Sequence, residues 1–191
     1  MKYLNHILVI FFLAFSLHTQ AQSLEAAQQL AGQGQFDAAR SMLEDIVQLT
    51  PDQPEAWTQL GHVCSWMGDQ KSAIGHFRTA LRLEEMYMPA QIGLAYAFAW
   101  DHQFKQAQQQ FEHILSKDPM NLDAKKGLAY TALWRSDFSE AETYFEALIT
   151  EQGPNEEFLL SKGLAQLNQD HVLAAEATFQ ELLELNPQHK E

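Results

Sequence analysis

The sequence predicts an all-α, right-handed solenoid of five helix–turn–helix units, about ten helices in all. Three observations carry that expectation. An alanine recurs every 34 residues, at Ala39, Ala73, Ala107, Ala141 and Ala175. Four places after each comes a large apolar residue: Leu43, Phe77, Phe111, Phe145 and Phe179. A third row follows three places later still: Ile46, Ala80, Ile114, Leu148 and Leu182. Separations of four and three set these rows on one face of a helix. A fixed period of this length sets the architecture of the whole chain.

Taken in order, residues 1–21 read as a secretory signal peptide. Lys2 gives a basic start, Ile7 to Leu17 is an apolar stretch, and Thr19 and Ala21 are small residues where a signal peptidase looks for them. The apolar run is about half the ~20 residues a membrane span needs. Cleavage would leave residues 22–191, five lengths of 34, and would move the net charge from −13 to −14 because only Lys2 is lost. The expected address is the periplasm or cell envelope. No cysteine for a lipid anchor lies near the cleavage site, and no later stretch is long enough to span a membrane.

The units run approximately over 20–53, 54–87, 88–121, 122–155 and 156–189, within a repeat domain of 22–191. The first helix of each carries a small-residue row, Ala27, Gly61, Ala95, Ala129 and Gly163. Small side chains let two helices approach, and the large residue of the second helix fills the groove between them. Pro51, Pro119 and Pro187 end second helices, while Pro54 and Pro89 suit the first turn of the next unit. Turns within units fall near Gly34, Gly68, His102, Ser136 and Asp170.

Composition excludes several functions. The 191 residues carry a net charge of −13 with no basic run, which argues against phosphate-backbone binding. The single cysteine, Cys64, excludes an internal disulfide and reads as a buried thiol. Eight histidines are scattered with no pair at metal-ligand spacing, so no metal, cofactor or catalytic residue is expected. Glu112-His113 reads as a solvated helix face, and Asp101-His102, in a predicted turn next to Trp100, is the best polar cluster near the groove but weak evidence for catalysis.

The rows resemble the tetratricopeptide repeat (TPR) family. Trp57, Leu60, Gly61, Ala73, Phe77 and Ala80 match its consensus places in the second unit, and Leu94, Ala95, Ala107, Phe111 and Pro119 do so in the third. The resemblance covers the whole repeat domain. It implies a non-catalytic scaffold that binds a protein or peptide through the concave face lined by first helices. Glu85 and Gly153 depart from the usual proline, and Lys162 and Gln166 from the usual apolar residues. Gly163-Leu164-Ala165 sits two places later than the same triplet at 93–95 and 127–129, which leaves the register of that helix open by about two residues. The Lys/Asn/Arg clamp that some members use for chaperone tails is missing: its places hold Leu24, Gln28, Thr58, His62, Ile92 and Tyr96.

The candidate site is a row outside the consensus. Trp66, Trp100 and Trp134 lie 34 apart, late in three first helices, with His62, Tyr96 and Tyr130 one turn earlier. One reading is an aromatic groove for an extended peptide or a glycan strand. The other is a packing spine. Twenty-seven residues after each tryptophan comes Gly93, Gly127 or Ser161, a socket for the indole, whereas Gly32 is followed at that distance by the larger Gln59. Trp66-Met67-Gly68, Trp100-Asp101-His102 and Trp134-Arg135-Ser136 also resemble TPR tracts that precede outer-membrane polysaccharide-export barrels. That similarity implies an alternative role as a glycan-binding accessory of envelope polysaccharide export or assembly. Finally, Val47, Leu81, Leu115, Ile149 and Leu183 form an apolar row, and Leu183 has no following hairpin. Self-association, docking on a partner, or kinship with a longer protein would each cover it.

Overall fold

The structure is a computed structural model that describes residues 23–185. Among them it is all-helical, with no strand. The helices are α1 (23–32), α2 (Phe36–Leu49), α3 (Pro54–Trp66), α4 (Gln70–Leu83), α5 (Met88–Trp100), α6 (Phe104–Lys117), α7 (Leu122–Trp134), α8 (Phe138–Gln152), α9 (Glu156–Asn168) and α10 (Val172–Leu185). They follow one another as five hairpins, as the 34-residue period requires. No described helix is long and apolar enough to cross a membrane. The stretch read as a signal peptide lies outside the described residues.

The chain divides into two compact units, Met1–Leu94 and Ala95–Glu191. In the first, α3 packs on α4 and on α2. In the second, α7 packs on α6 and α8, and α9 on α8 and α10. The alanine row is fully buried at all five positions.

Local chemistry fixes the helix ends. Pro54 opens α3, where its missing N–H is no loss. The side chains of Asp69, Asn121, Asp137 and Asn155 each accept a hydrogen bond from the N–H three residues on, capping α4, α7, α8 and α9. All five predicted turns bend through a residue of positive φ: Gly34, Gly68, His102, Ser136 and Asp170.

The fifth unit settles the register that the sequence left open. α9 begins and ends 34 residues after α7, with no offset. Gly163 is in register because it faces Phe179, just as Gly61 faces Phe77. The later Gly-Leu-Ala triplet is a coincidence of composition. Lys162, largely covered, pairs with the exposed Glu146, and the buried Gln166 is held by Glu142 and Thr178.

The core rule is a sandwich. Phe77 is 1% exposed and lies against Gly61 of α3 and Gly93 of α5. A Cβ on Gly61 would stand 2.8 Å from the ring. Phe111, fully buried, fills the place beside Gly127, where a Cβ would lie 2.7 Å from its Cδ1 and nearer still to Cε1 and Cζ. Each of these small residues stands sixteen places before or after its phenylalanine. Gly93 and Gly127 are therefore sockets for the second-helix phenylalanine, not for the tryptophan of the preceding unit. The packing-spine reading is corrected on that point.

Candidate functional site

With the sockets filled by phenylalanine, the tryptophans are left at the surface. Trp66 is 54% exposed, and Trp100 and Trp134 are each 40% exposed. Each closes its first helix, at the last residue of α3, α5 and α7. An exposed indole is unusual enough to call for an account of what holds it there.

The answer lies one turn back. In the first unit, the ring of His62 stacks on Trp66, with centroids 5.9 Å apart, and meets Phe77 edge-on at 5.0 Å. In the second unit, Tyr96 stacks on Trp100 at 5.6 Å and meets Phe111 edge-on at 5.0 Å. Tyr130 repeats this with Trp134 at 5.6 Å and Phe145 at 5.3 Å. Each indole thus rests on a ring that is itself pinned to the core. Offset stacking and edge-to-face contact are the favoured aromatic geometries. Trp100 and Trp134 also approach one another, 6.4 Å apart and tilted by 46°. Phe36, which opens α2 as Phe104 opens α6 and Phe138 opens α8, flanks Trp66 at 6.0 Å.

The tyrosine hydroxyls tie successive hairpins of the second unit together. Tyr96 donates to the backbone carbonyl of Asp123 at 3.2 Å, and Tyr130 donates to Glu157 Oε1 at 2.7 Å. Lys126 Nζ pairs with the same Glu157 oxygen at 2.8 Å. Burial, then the Glu157 hydrogen bond, push the Tyr130 hydroxyl up to about 12. Burial raises Tyr96 as well. Burial also works to raise Glu157, but the bonds from Lys126 and Tyr130 outweigh it and hold the carboxyl below its usual range. Burial lowers His62, which favours the neutral imidazole.

The arrangement is one of neutral, flat rings on rigid supports. The six residues singled out in the sequence fall into three stacked pairs, one in the first unit and two in the second. Among the described residues no group of three or more His, Cys, Asp or Glu could hold a metal ion. Cys64 is buried and its thiol is pushed up by that burial, as expected for an inert side chain.

Residues 42–159 match the family model described as the cytochrome c-type biogenesis protein H TPR domain. No curated protein matches the sequence. Solved structures resemble the fold at low identity. A tetratricopeptide repeat protein from Parabacteroides merdae ATCC 43184 superposes with a TM-score of 0.76 at 16% identity, over 86% of this chain and 64% of that one. The chain thus spans just under two thirds of that relative. MamA from Desulfovibrio magneticus RS-1, residues 41 to its end, gives 0.75 at 16% identity, over 90% and 97%. A thermophilic TPR protein of Thermus thermophilus gives 0.73 at 17% identity, over 88% and 92%.

Proposed function

The chain belongs to the family of the cytochrome c-type biogenesis protein H TPR domain, and from that premise we propose a non-catalytic scaffold that binds a protein or peptide partner. The binding residues are the exposed Trp66 of the first unit and the exposed Trp100 and Trp134 of the second, each with its half-buried supporting ring, His62, Tyr96 and Tyr130 respectively. The single observation that carries the reading is that three indoles are kept 40–54% exposed by rings anchored in the core. Pre-organised aromatic surface contributes contact area at low entropic cost, and tryptophan and tyrosine dominate binding hot spots. The protein acts after export, in the periplasm or at the cell envelope, which the 1–21 leader supports.

A peptide library selected on the purified protein tests this. Peptides recovered by the wild type should lose on the order of 10-fold or more in affinity on Trp100→Ala and on Trp134→Ala. Circular dichroism should show each variant folded. Recovery of no peptide, together with retention of envelope polysaccharide on the same column, would replace this reading with the glycan-binding one.

A further inference from the structure

We infer that the first repeat carries a pocket for one aromatic side chain of the partner, a tryptophan or tyrosine whose ring bears an N–H or O–H donor. The pocket lies in the first unit and encloses about 160 Å³. Ala27, Ala31, Leu43 and Val63 form its buried floor. Gly32 and Trp66 stand exposed at its margin.

Two breaks in the repeat pattern create this space. Leu43 stands where Phe77, Phe111 and Phe145 stand in the next three units, and it brings no ring. Gly32 stands where those units have tryptophan. In the second unit the equivalent neighbours, Trp100 and Trp134, lie 6.4 Å apart. A ring that enters beside Trp66 therefore takes the place of the indole that Gly32 does not supply. The size is suitable, since an apolar cavity of about 150 Å³ accepts benzene.

Gln59 decides which ring. It lines the pocket at the position held elsewhere by Gly93, Gly127 and Ser161. Its Oε1 is covered and has no hydrogen-bond partner, so a donor in the pocket meets it once the flexible Gln59 side chain turns toward the ring. A buried acceptor left unpaired is costly, and a ring carrying a donor relieves that cost where a hydrocarbon ring does not. Phenol and indole satisfy both the apolar floor and the orphan oxygen. That the ring belongs to a protein rests on the scaffold reading above.

The test titrates p-cresol, 3-methylindole and toluene into methyl-labelled protein by NMR. Cresol and methylindole should shift the Ala31, Leu43 and Val63 methyls saturably and leave Leu148 unmoved. Toluene should bind roughly fivefold more weakly. Gly32→Trp should abolish the shifts, since a Cβ there meets nothing within 4 Å and the new indole can fill the pocket. Leu43→Phe fills it from the floor and should do the same, and Gln59→Leu should make cresol and toluene bind alike. No saturable shift in the wild type, no preference for cresol over toluene, or shifts that survive in both filled variants would overturn the inference. So would methyl β-glucoside saturating the same methyls where cresol does not. The probes read the pocket whether or not a peptide is ever recovered. Bound cresol with no selected peptide sinks the scaffold reading alone, and selected peptides with no cresol shift sink the pocket alone.

Discussion

Phe111 and Gly127 are matched in size, and the match can be tested as a pair. A methyl added at Gly127 meets a ring that is fully buried and has nowhere to move. Overpacking costs about 1–3 kcal/mol, while replacing a helical glycine returns about 1 kcal/mol. The clash wins, so Gly127→Ala is expected to lose about 1–2 kcal/mol in urea unfolding. Phe111→Leu in that background should recover part of the loss, as a double-mutant cycle would show. Gly75, on the outer side of α4 with open space around it, supplies the opposite sign: Gly75→Ala should gain up to about 1 kcal/mol. An unchanged Gly127→Ala would remove the socket argument. The same pair explains what the sequence could not give. A repeat makes every row recur at a constant distance from every other row. Trp66 stands 27 places from Gly93 and Phe77 stands 16 places from it, and both offsets persist along the chain. The period shows that a small residue is needed but not which large one it receives. Only packing tells the two apart, and packing put the phenylalanine inside and the tryptophan out.

At the scale of the element, the hairpin was the most legible object. The turn inside each unit must reverse the chain at one place, so Gly34 and Gly68 mark it openly, and the spacing carries the mark to His102, Ser136 and Asp170. These three adopt positive φ without being glycine, at a cost of roughly 1–2 kcal/mol each. Ser136→Gly should therefore raise stability by about 1 kcal/mol, read as a higher denaturation midpoint at unchanged slope. A lower midpoint would mean that the serine side chain stabilises the turn by more than its backbone costs. The first helices α3, α5, α7 and α9 are each 13 residues long, so the rows keep step through the fifth unit despite its altered sequence. The register was left open there because three adjacent letters stood against the period. The six site residues were legible as rows. Their support was not, because the recurrence of Phe36 at Phe104 and Phe138 does not say which ring it flanks, and Tyr130 reaches Glu157 by a contact that the consensus does not contain.

At the scale of the whole molecule, stability in a repeat array is a sum of hairpins and the contacts between neighbours. Each hairpin should therefore be as stable as its own contacts make it, and the second unit allows a direct comparison. Phe145 is fully buried, with Phe158 of α9 packed against its ring at 6.5 Å. Phe179 has Gly163 against its ring, and it also borders an open groove of about 480 Å³ lined by Leu167, Val172 and Leu183. Phe145→Ala opens a sealed cavity and is expected to cost about 3–5 kcal/mol. Phe179→Ala removes a ring that is already only half-buried, so it should cost roughly half as much. The spread of the effect should differ too. Hydrogen exchange should show protection lost along α7 to α10 for Phe145→Ala, but confined to α9 and α10 for Phe179→Ala, because local opening follows nearest-neighbour contacts. Equal costs for the two substitutions would mean that something covers the groove in solution. In that case Leu183→Glu should lower the stability of the wild type by more than the few tenths of a kcal/mol usual for a surface change.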